Sequence, residues 1–328
     1  MKWVYRRILG AAITLFSTIN IIFFLIRLMP GNPIDFIVTQ YIEAGVPYEE
    51  AYRFVSTAFG IELNKPLHLQ YIDFIFNLLK GSLGNSIVYR TPVSQIIFSA
   101  LPWTIFTVSL GLSLSFLGGV FLGLLSAYKR NSVIDKILQV LSVSSVAIPN
   151  YIFAYIFIII FCRMLNLFPM MGAYDSLKVK PGFNLPFILN VMHHAILPIL
   201  CYFIAGFGAW LLRMRGTSVS VLGEYHISFA RLRGLSSNRI MWKYVGRNAI
   251  LPVFAIFAIN VGYIFGGSTL IENIFRYPGV GLYISRAVSN RDYTLMQGIF
   301  FLLTFSVIVS NLIADLLYSF LDPRVKTE

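Results

Sequence analysis

Residues 228–252 read SFARLRGLSSNRIMWKYVGRNAILP, and this basic segment separates two long apolar runs at 195–213 and 249–271. A helix needs about 20 consecutive apolar residues to cross a bilayer, and the two flanking runs meet that length. The longer stretch 214–252, which contains this segment, is too polar to span, because it carries one acid, Glu224, among six basic residues. These basic residues are Arg215, Arg231, Arg233, Arg239, Lys243 and Arg247. The pattern predicts a polar connection between two membrane-spanning helices.

The composition of the whole chain supports a membrane protein. Of its 328 residues, 57% are hydrophobic and only 12% are charged, whereas soluble domains carry about 25% charged residues. The formal net charge of +12 would fit a nucleic-acid partner, but the basic residues lie in short connectors between apolar runs. Such an excess sets orientation in a bilayer. We therefore expect membrane lipid, and no nucleic acid, as the surroundings of this chain.

Six apolar runs are long enough to span a bilayer, and the rest of the chain connects them. Helices are expected, because every backbone polar group inside lipid must be paired within the segment. The sequence thus predicts an all-α membrane protein with one domain, 1–328, a long extracytoplasmic loop at 30–100 and a coupling loop at 214–248. The predicted spans are 9–29, 103–127, 138–162, 195–213, 249–271 and 297–320.

The Lys and Arg residues of the short loops predict the orientation. If the N-terminus is cytoplasmic, the inner side holds fifteen of them and the short outer loops hold six. Cytoplasmic loops carry the excess of Lys and Arg. We therefore expect a multi-pass protein of the cell membrane (plasma or inner membrane) with both termini in the cytoplasm.

Two further patterns concern helix surfaces. In the outer loop, PLHLQYIDFIFNLLKG (66–81) places Leu69, Ile72, Phe76 and Leu79 at helical spacing. This helix either lies on the membrane surface or caps the bundle, or it is a docking surface for an external partner. Glycines four residues apart allow close approach of helices, and two such pairs occur inside the predicted spans, Gly119 with Gly123 and Gly262 with Gly266.

The basic segment has its own local structure. EYHISFARLRG (224–234) predicts a short helix, and Gly234 fits a C-terminal cap that needs a left-handed residue. Ser236 or Ser237 then caps a second helix, which turns Ile240 and Tyr244 towards apolar surroundings and continues to Pro252. One interpretation is a lever that a partner grips by docking a helix in a groove. The other is an ordinary basic loop with an interfacial helix.

Six collinear motifs give the chain a resemblance to a known family. It resembles the permease subunits of ABC importers, in the branch that serves dipeptides, oligopeptides, nickel and glutathione. The general permease signature begins Glu-Ala-Ala, whereas this chain has Ser228, Phe229 and Ala230 at those positions. The motifs are LIRLMPGNP (25–33), NLLKGSLGNSIVYRTPV (77–93), FARLRGL with KYVGRNAILPV (229–253), ENIFRYPGVG (272–281), RDYTLMQG (291–298) and DLLYSFLDPR (315–324).

The resemblance implies a type I importer permease that forms half of a pore. It implies four kinds of partner: a second homologous permease, two cytoplasmic ABC ATPases, an extracytoplasmic solute-binding lipoprotein and the surrounding lipid. It also implies a cytoplasmic coupling helix between the fourth and fifth spans, with Phe229 and Leu232 as buried anchors in the ATPase. The residues expected at this contact are Phe229, Ala230, Arg231, Leu232, Arg233 and Gly234.

The chain carries no motif for chemistry of its own. A GxxxxGK[ST] phosphate loop does not occur, so ATP and Mg are expected on the partner ATPases. No cofactor, metal site or catalytic residue is expected here, and neither a membrane-embedded enzyme nor a metal site at His193 and His194 is favoured. Pro149 and Asn150 either line the pore through a kink or only bend the third span, and Asp315 is expected to make a structural polar contact.

The predicted function is uptake of dipeptides or oligopeptides as the permease half of an ATP-driven importer. Permeases for nickel, a metallophore or glutathione share the same motifs and stay open as alternatives. A secondary transporter that works alone is the alternative of another class. It would need ionisable groups within the spans or inverted repeats, and the sequence shows neither intramembrane charge pairs nor a clear repeat.

Overall fold

The computed structural model describes residues 2–29, 33–63, 65–261, 264 and 269–321, and the side chains of 2–4, 33, 34, 36, 40, 56–63 and 313–321 lie outside that description. The described part is built of helices. In chain order they are α1 (Lys2–Arg27), α2 (Pro33–Glu43), α3 (Tyr48–Leu63), α4 (Leu67–Leu79), α5 (Val93–Tyr128), α6 (Val133–Ala147), α7 (Asn150–Phe157), α8 (Leu185–Leu222), α9 (Tyr225–Leu232), α10 (Ser237–Arg239), α11 (Arg247–Val261), α12 (Thr269–Ile274), α13 (Val280–Ser289) and α14 (Tyr293–Leu321). Two π-helical segments, Ile158–Met164 and Ile240–Gly246, extend α7 and join α10 to α11.

The predicted all-α membrane architecture is confirmed. Within the described residues, five helices are long and apolar enough to cross a membrane, and a bent pair of shorter helices makes six. The pair is α6 with α7 and its π-helical extension, and it stands in the place of the third span expected at 138–162. The five are Tyr5–Arg27, Val93–Tyr128, Leu185–Leu222, Ser237–Val261 and Tyr293–Leu312.

The described helices extend the fourth span and leave the end of the fifth span open. α8 continues to Leu222, so the first part of the expected coupling loop at 214–248 is helical. α11 is described as far as Val261 and α12 begins at Thr269. Most of the residues between them lie outside the described ones, so the expected end of the fifth span at 271 stays a prediction. Gly262 and Gly266 lie outside the described residues, so their predicted packing role stays a prediction.

The bend in the third span is caused by Pro149. The two halves meet at 97°, and both Ile148 and Pro149 have extended backbone, with ψ of 122° and 138°. A proline ring clashes with a helical residue before it, so Ile148 leaves the helix. Pro149 also has no N–H to donate to the preceding turn, and α7 begins afresh at Asn150.

Glycines allow α5 and α8 to pack closely, as the spacing of Gly119 and Gly123 predicted. A Cβ on Gly119 would lie 2.5 Å from the Cβ of Trp210, and a Cβ on Gly123 would lie 2.6 Å from the carbonyl oxygen of Leu211. Neither position has room for a side chain. The two longest helices therefore form the centre of the bundle.

The two ends of the bundle have separate cores. α5 has 36 residues and is about 54 Å long at 1.5 Å per residue, so its ends lie far apart. Its first residue, Val93, is buried with Ile26 and Tyr293 at what we call the α4 end. Near its other terminus, Leu124 is buried with Ile227 and Ala230 at the α9 end. The predicted helix at 66–81 is also present, as α4.

Candidate functional site

α9 is the short helix expected in the basic segment, and Gly234 terminates it. The N–H of Gly234 donates to the carbonyl oxygen of Arg231 at 2.9 Å, and the N–H of Leu235 donates to that of Ala230 at 3.3 Å. This pair of bonds is a Schellman motif, which needs a left-handed residue after the helix. Gly234 meets the need with φ of +71°, so the predicted cap is confirmed.

The two faces of α9 have opposite surroundings. Ile227 and Ala230 are buried in the core of the α9 end, whereas Phe229 is 65% and Leu232 84% exposed. Arg231, Arg233 and Gly234 are also exposed. Large apolar side chains with this exposure stand on the surface beside basic ones, an arrangement that suits contact with another protein or with the membrane surface.

Ala230 is the exception among the expected contact residues. Its side chain is 3% exposed and packs into the core of its own chain. The predicted contact includes Ala230 because the motif is a continuous run of residues. In a helix, however, only residues three or four apart share a face, and Ala230 shares the inner face with Ile227. It supports the helix from within, and its side chain takes no part in the exposed surface.

The base of α9 is tied to three long helices. The core that holds Ile227 and Ala230 also contains residues of α5, α8, α11 and the π-helical segment Ile240–Gly246. Tyr244 packs against this core, and the ring of Trp242 lies 5.4 Å from that of Phe121 in α5. The core residues are Phe116, Leu124, Trp210, Met214, Val221, Ile227, Ala230, Ile240, Met241, Val245, Ala249 and Val253. The inner face of α9 is therefore packed against the ends of these helices.

The second helix begins where the serines predicted. Ser236 is the N-cap residue of α10, with extended backbone, although its side chain makes no capping hydrogen bond. At the start of α9, the carboxylate of Glu224 lies 3.0 Å from Nδ1 of His226. Nδ2 of Asn248 lies 3.3 Å from Nε2 of the same imidazole. These polar contacts link the first turn of α9 to α11.

A largely buried ion pair holds α8 in place near its C-terminal end, shortly before α9 begins. The guanidinium of Arg215 binds Asp135 with two bonds, Nε to Oδ1 at 2.8 Å and Nη2 to Oδ2 at 3.0 Å. The hydroxyl of Ser126 and the N–H of Asn131 also donate to this carboxylate, at 2.6 and 3.0 Å. The pair connects α5, α6 and α8. The predicted coupling loop includes Arg215, but its partner Asp135 is 80 residues away, so no short-range pattern predicts the pair.

At the α4 end, Glu272 joins three helices. Its side chain is buried and accepts hydrogen bonds from the hydroxyl of Thr104 at 2.9 Å and from the N–H groups of Gly281 and Leu282 at 2.6 and 3.3 Å. Thr104 in turn accepts from the N–H of Val280 at 2.8 Å. Burial raises the pKa of Glu272 to about 7, while these hydrogen bonds act in the opposite direction. The ENIFRYPGVG motif thus forms a joint between α12, α13 and α5.

Asp292 makes a second joint at the same end. Its carboxylate accepts from the hydroxyl of Ser86 at 2.5 Å and from the N–H of Val88 at 3.1 Å. It also caps α14, because Oδ1 accepts from the N–H of Leu295 at 3.0 Å. Two quoted motifs, NLLKGSLGNSIVYRTPV and RDYTLMQG, therefore meet here. Acids are few in this chain, and an acid beside a long apolar run is the signal that would have suggested a buried partner.

The remaining expected residues lie elsewhere. Pro149 and Asn150 form the bend of the third span, where Pro149 is exposed and Asn150 half-buried. His193 and His194 each lie 2.8 Å from a backbone carbonyl oxygen, those of Leu167 and Asn190. In the part of the chain that the structure describes, no cluster of three His, Cys, Asp or Glu residues could hold a metal. The side chain of Asp315 lies outside the described residues, so its contact stays a prediction.

Comparison with known proteins agrees with this architecture. The family model described as "Binding-protein-dependent transport system inner membrane component" matches residues 119–327. The chain belongs to this family. It is therefore a membrane component of a transport system, with several spanning helices.

Relatives match the permease over nearly its whole length. It is 31% identical over 325 residues to the oligopeptide transport system permease protein AppB of Bacillus subtilis, which covers 99% of each chain. It is 30% identical over 343 residues to the di/tripeptide transport system permease protein DppB of Pseudomonas aeruginosa, again over 99% of each. The glutathione transport system permease protein GsiC of Salmonella typhimurium is 29% identical over 326 residues, with the same coverage. The family resemblance inferred from the six motifs is confirmed.

Proposed function

We propose that this permease forms half of the pore of an ATP-driven importer and that α9 is its coupling helix. The observation that carries the proposal is the exposure of Phe229 and Leu232 on a helix whose other face is locked into the bundle. On this proposal the two apolar side chains enter a groove of an ATPase subunit, a known mode of helix recognition. Arg231 and Arg233 then meet polar or acidic groups at the edge of that groove.

The proposed mechanism uses α9 as a rigid handle. When ATP closes a pair of ATPases, α9 moves with the ATPase to which it is bound, and its buried face moves the ends of α5, α8 and α11. The Schellman turn at Gly234 and the packing of Ala230 keep α9 from rotating alone. ATP and Mg bind to the partner subunits and are hydrolysed there. This chain is non-catalytic in the proposal and binds no cofactor.

The proposed assembly has three kinds of partner in addition to lipid. They are a second homologous permease, two cytoplasmic ATPases and an extracytoplasmic solute-binding lipoprotein. The family description, which names a binding-protein-dependent system, supports the last of them. In this arrangement both termini and α9 lie in the cytoplasm, as the distribution of Lys and Arg predicts. The bend at Pro149 and Asn150 is then a candidate for the pore lining.

The proposed substrates are dipeptides or oligopeptides. Two of the relatives described above are named as oligopeptide and di/tripeptide permeases, and the relative named as a glutathione permease keeps that tripeptide as the alternative. Nickel or a metallophore is the remaining alternative from the sequence. The test is mass spectrometry of the compound that stays bound to the purified cognate binding protein. A peptide supports the proposal, and a metal complex contradicts it.

Substitution of Gly234 tests the coupling role. A Cβ at this position meets nothing within 4 Å, so the only obstacle to a side chain is the left-handed backbone. Gly234→Val should therefore displace the end of α9 at a cost of about 1–2 kcal/mol without disturbing the bundle. We expect ATP-driven uptake by the complete complex in vesicles to fall by at least about tenfold.

Asparagine is the matched control, because it tolerates the left-handed conformation better than other residues. Gly234→Asn should retain most of the uptake and of the substrate-stimulated ATPase activity. Full uptake by Gly234→Val would contradict the coupling role of α9. Uptake by the purified chain alone, driven by an ion gradient without ATP, would instead establish a secondary transporter.

A further inference from the structure

A cavity at the α4 end lies between α1, α4 and α14, away from α9. Its volume is about 480 Å³. Arg27 is the last residue of α1, Gln70 and Asp73 face the cavity from α4, and Gln297 faces it from the second turn of α14. A loop that includes Ser82 and Gly84 closes one side. The proposed function assigns no role to this cavity.

Two donors at the cavity have no acceptor. Nη1 of Arg27 and Nε2 of Gln297 are buried, and neither has a hydrogen-bond partner in the part of the chain that the structure describes. Gln297 is only 5% exposed. An unmet buried donor costs about 1–3 kcal/mol, and more when it is charged. Two such donors beside one cavity indicate an acceptor that binds there.

The guanidinium of Arg27 is held in a fixed position. Nε donates to Oε1 of Gln70 at 2.8 Å. The carbon Cζ lies 5.2 Å from the ring centre of Phe23 and 5.4 Å from that of Tyr293, which are cation–π distances. A guanidinium between two rings has lost most of its freedom before any ligand arrives. Preorganised donors of this kind bind oxyanions well, because their ordering cost is already met.

The charge and the surroundings of the cavity indicate the kind of acceptor. The carboxylate of Asp73 forms an ion pair with Nζ of Lys65 at 2.7 Å, which leaves the charge of Arg27 to attract an anion. The cavity lies where a membrane-spanning helix ends, and the helices beside it also carry exposed apolar side chains. Leu25 and Leu28 at the end of α1 and Ile72 and Phe76 of α4 are exposed, although none of them lines the cavity. An anion attached to acyl chains complements both features, because the anion meets the charge of Arg27 and the acyl chains contact the exposed apolar side chains.

We propose that the cavity binds an oxyanion through Arg27 and Gln297, and that this oxyanion is the phosphate of an anionic phospholipid. The headgroup occupies the cavity, and the acyl chains lie along the exposed apolar residues of α1 and α4. Bound lipid then fixes α4 against the first and last spans. The proposal does not depend on the transported substrate or on the coupling role of α9.

The test measures binding of a short-chain fluorescent phosphatidylglycerol to the purified, detergent-solubilised transporter complex. The reference probe is the diacylglycerol with the same chains and fluorophore, which has no phosphate. We expect phosphatidylglycerol to bind at least about tenfold more tightly than diacylglycerol. Arg27→Gln and Gln297→Leu should each reduce that preference by about tenfold, since each removes a donor to the phosphate. Arg163→Gln, which alters an exposed arginine that does not line the cavity, should not change it.

Two further measurements distinguish lipid phosphate from free phosphate and a loss of binding from a loss of stability. Competition by millimolar inorganic phosphate would show that the free anion suffices, which keeps the oxyanion site but overturns the lipid as its source. In lipid-free detergent, Gln297→Leu should unfold at the same or a higher temperature, because it removes an unmet donor. Equal binding of both probes, or equal loss in Arg163→Gln, would overturn the site.

Discussion

The α4 end and the α9 end both carry short motifs, but they use them in opposite ways. At the α4 end, the acids Glu272 and Asp292 are buried and fully engaged with hydroxyl and N–H donors of distant segments. At the α9 end, Phe229 and Leu232 stand exposed on a helix that its own chain supports only from behind. At the α4 end the motif residues stabilise the fold, whereas at the α9 end they are exposed and available for contact with another molecule.

The burial of a motif residue and the number of its hydrogen-bond partners indicate its role. A polar residue that is buried with all its partners belongs to the architecture, because its removal leaves those partners unmet. A large apolar residue that is exposed on a rigid element contributes little to stability and is available for binding. The comparison predicts that substitutions at the α4 end change stability, whereas substitutions on the outer face of α9 change activity alone.

The largest effect on stability is expected from Glu272→Ala. The change leaves the hydroxyl of Thr104 and the N–H groups of Gly281 and Leu282 without their acceptor in a buried site. We expect a loss of about 3 kcal/mol or more in the free energy of unfolding, measured by thermal unfolding in detergent. Glu272→Gln keeps one carbonyl acceptor and should lose less. If both variants unfold at the wild-type temperature, Glu272 is not the joint that we describe.

A smaller effect is expected from Gly208→Ala in α8. A Cβ there would lie 2.3 Å from the carbonyl oxygen of Ser142 in α6, so α6 and α8 must separate, at about 1–3 kcal/mol. Gly216→Ala is the matched control on the same helix, since its Cβ would meet nothing within 4 Å. Alanine is the better helix former by up to about 1 kcal/mol, so this control should be neutral or stabilising. Equal destabilisation by both changes would show that the contact with Ser142 is not what makes alanine unfavourable at position 208.

The pH dependence of stability tests the role of Glu272 at the α4 end. The pKa of Glu272 rises from 4.5 to about 7 on folding. Its contribution to stability is therefore fully present below about pH 4.5 and is lost as the pH rises through 7. We expect the unfolding temperature of the wild type to fall between about pH 4.5 and 7 and to change little above that, as scanned by intrinsic fluorescence. Glu272→Gln cannot ionise and should show a flatter profile, and an identical slope in both proteins would refute the assignment.

The smallest effect on stability is expected from Leu232→Asp on the outer face of α9. This side chain is 84% exposed, so the free energy of unfolding should change by no more than about 0.5 kcal/mol. The same variant should nevertheless lose ATP-driven uptake by the complete complex, because a carboxylate replaces an apolar anchor. Leu177→Asp, at an exposed loop position, is the control and should keep uptake. A strong loss of stability in Leu232→Asp would break the contrast between the two ends.

Much of the site could be read from short-range patterns. Hydropathy predicted six spans, helical spacing predicted α4, and the glycine after LR predicted the end of α9. These features depend on residues a few positions apart, for which local propensities decide. The same patterns could not separate the faces of α9, so Ala230 was grouped with the exposed residues. They also could not show that Pro149 bends its span by 97° rather than by a small kink.

Local patterns and collinear motifs of the sequence suffice to identify a helical membrane permease with a capped basic helix between its fourth and fifth spans. Apolar length and backbone preference are local properties, and lipid favours a helix because every backbone polar group must be paired within the segment. Only the tertiary structure decided which polar residues pair. Glu272 meets Thr104 across 168 residues and Asp292 meets Ser86 across 206, and Arg27 and Gln297 lie beside the same cavity. Such pairs form because burial penalises an unmet polar group, and burial exists only once the helices have packed.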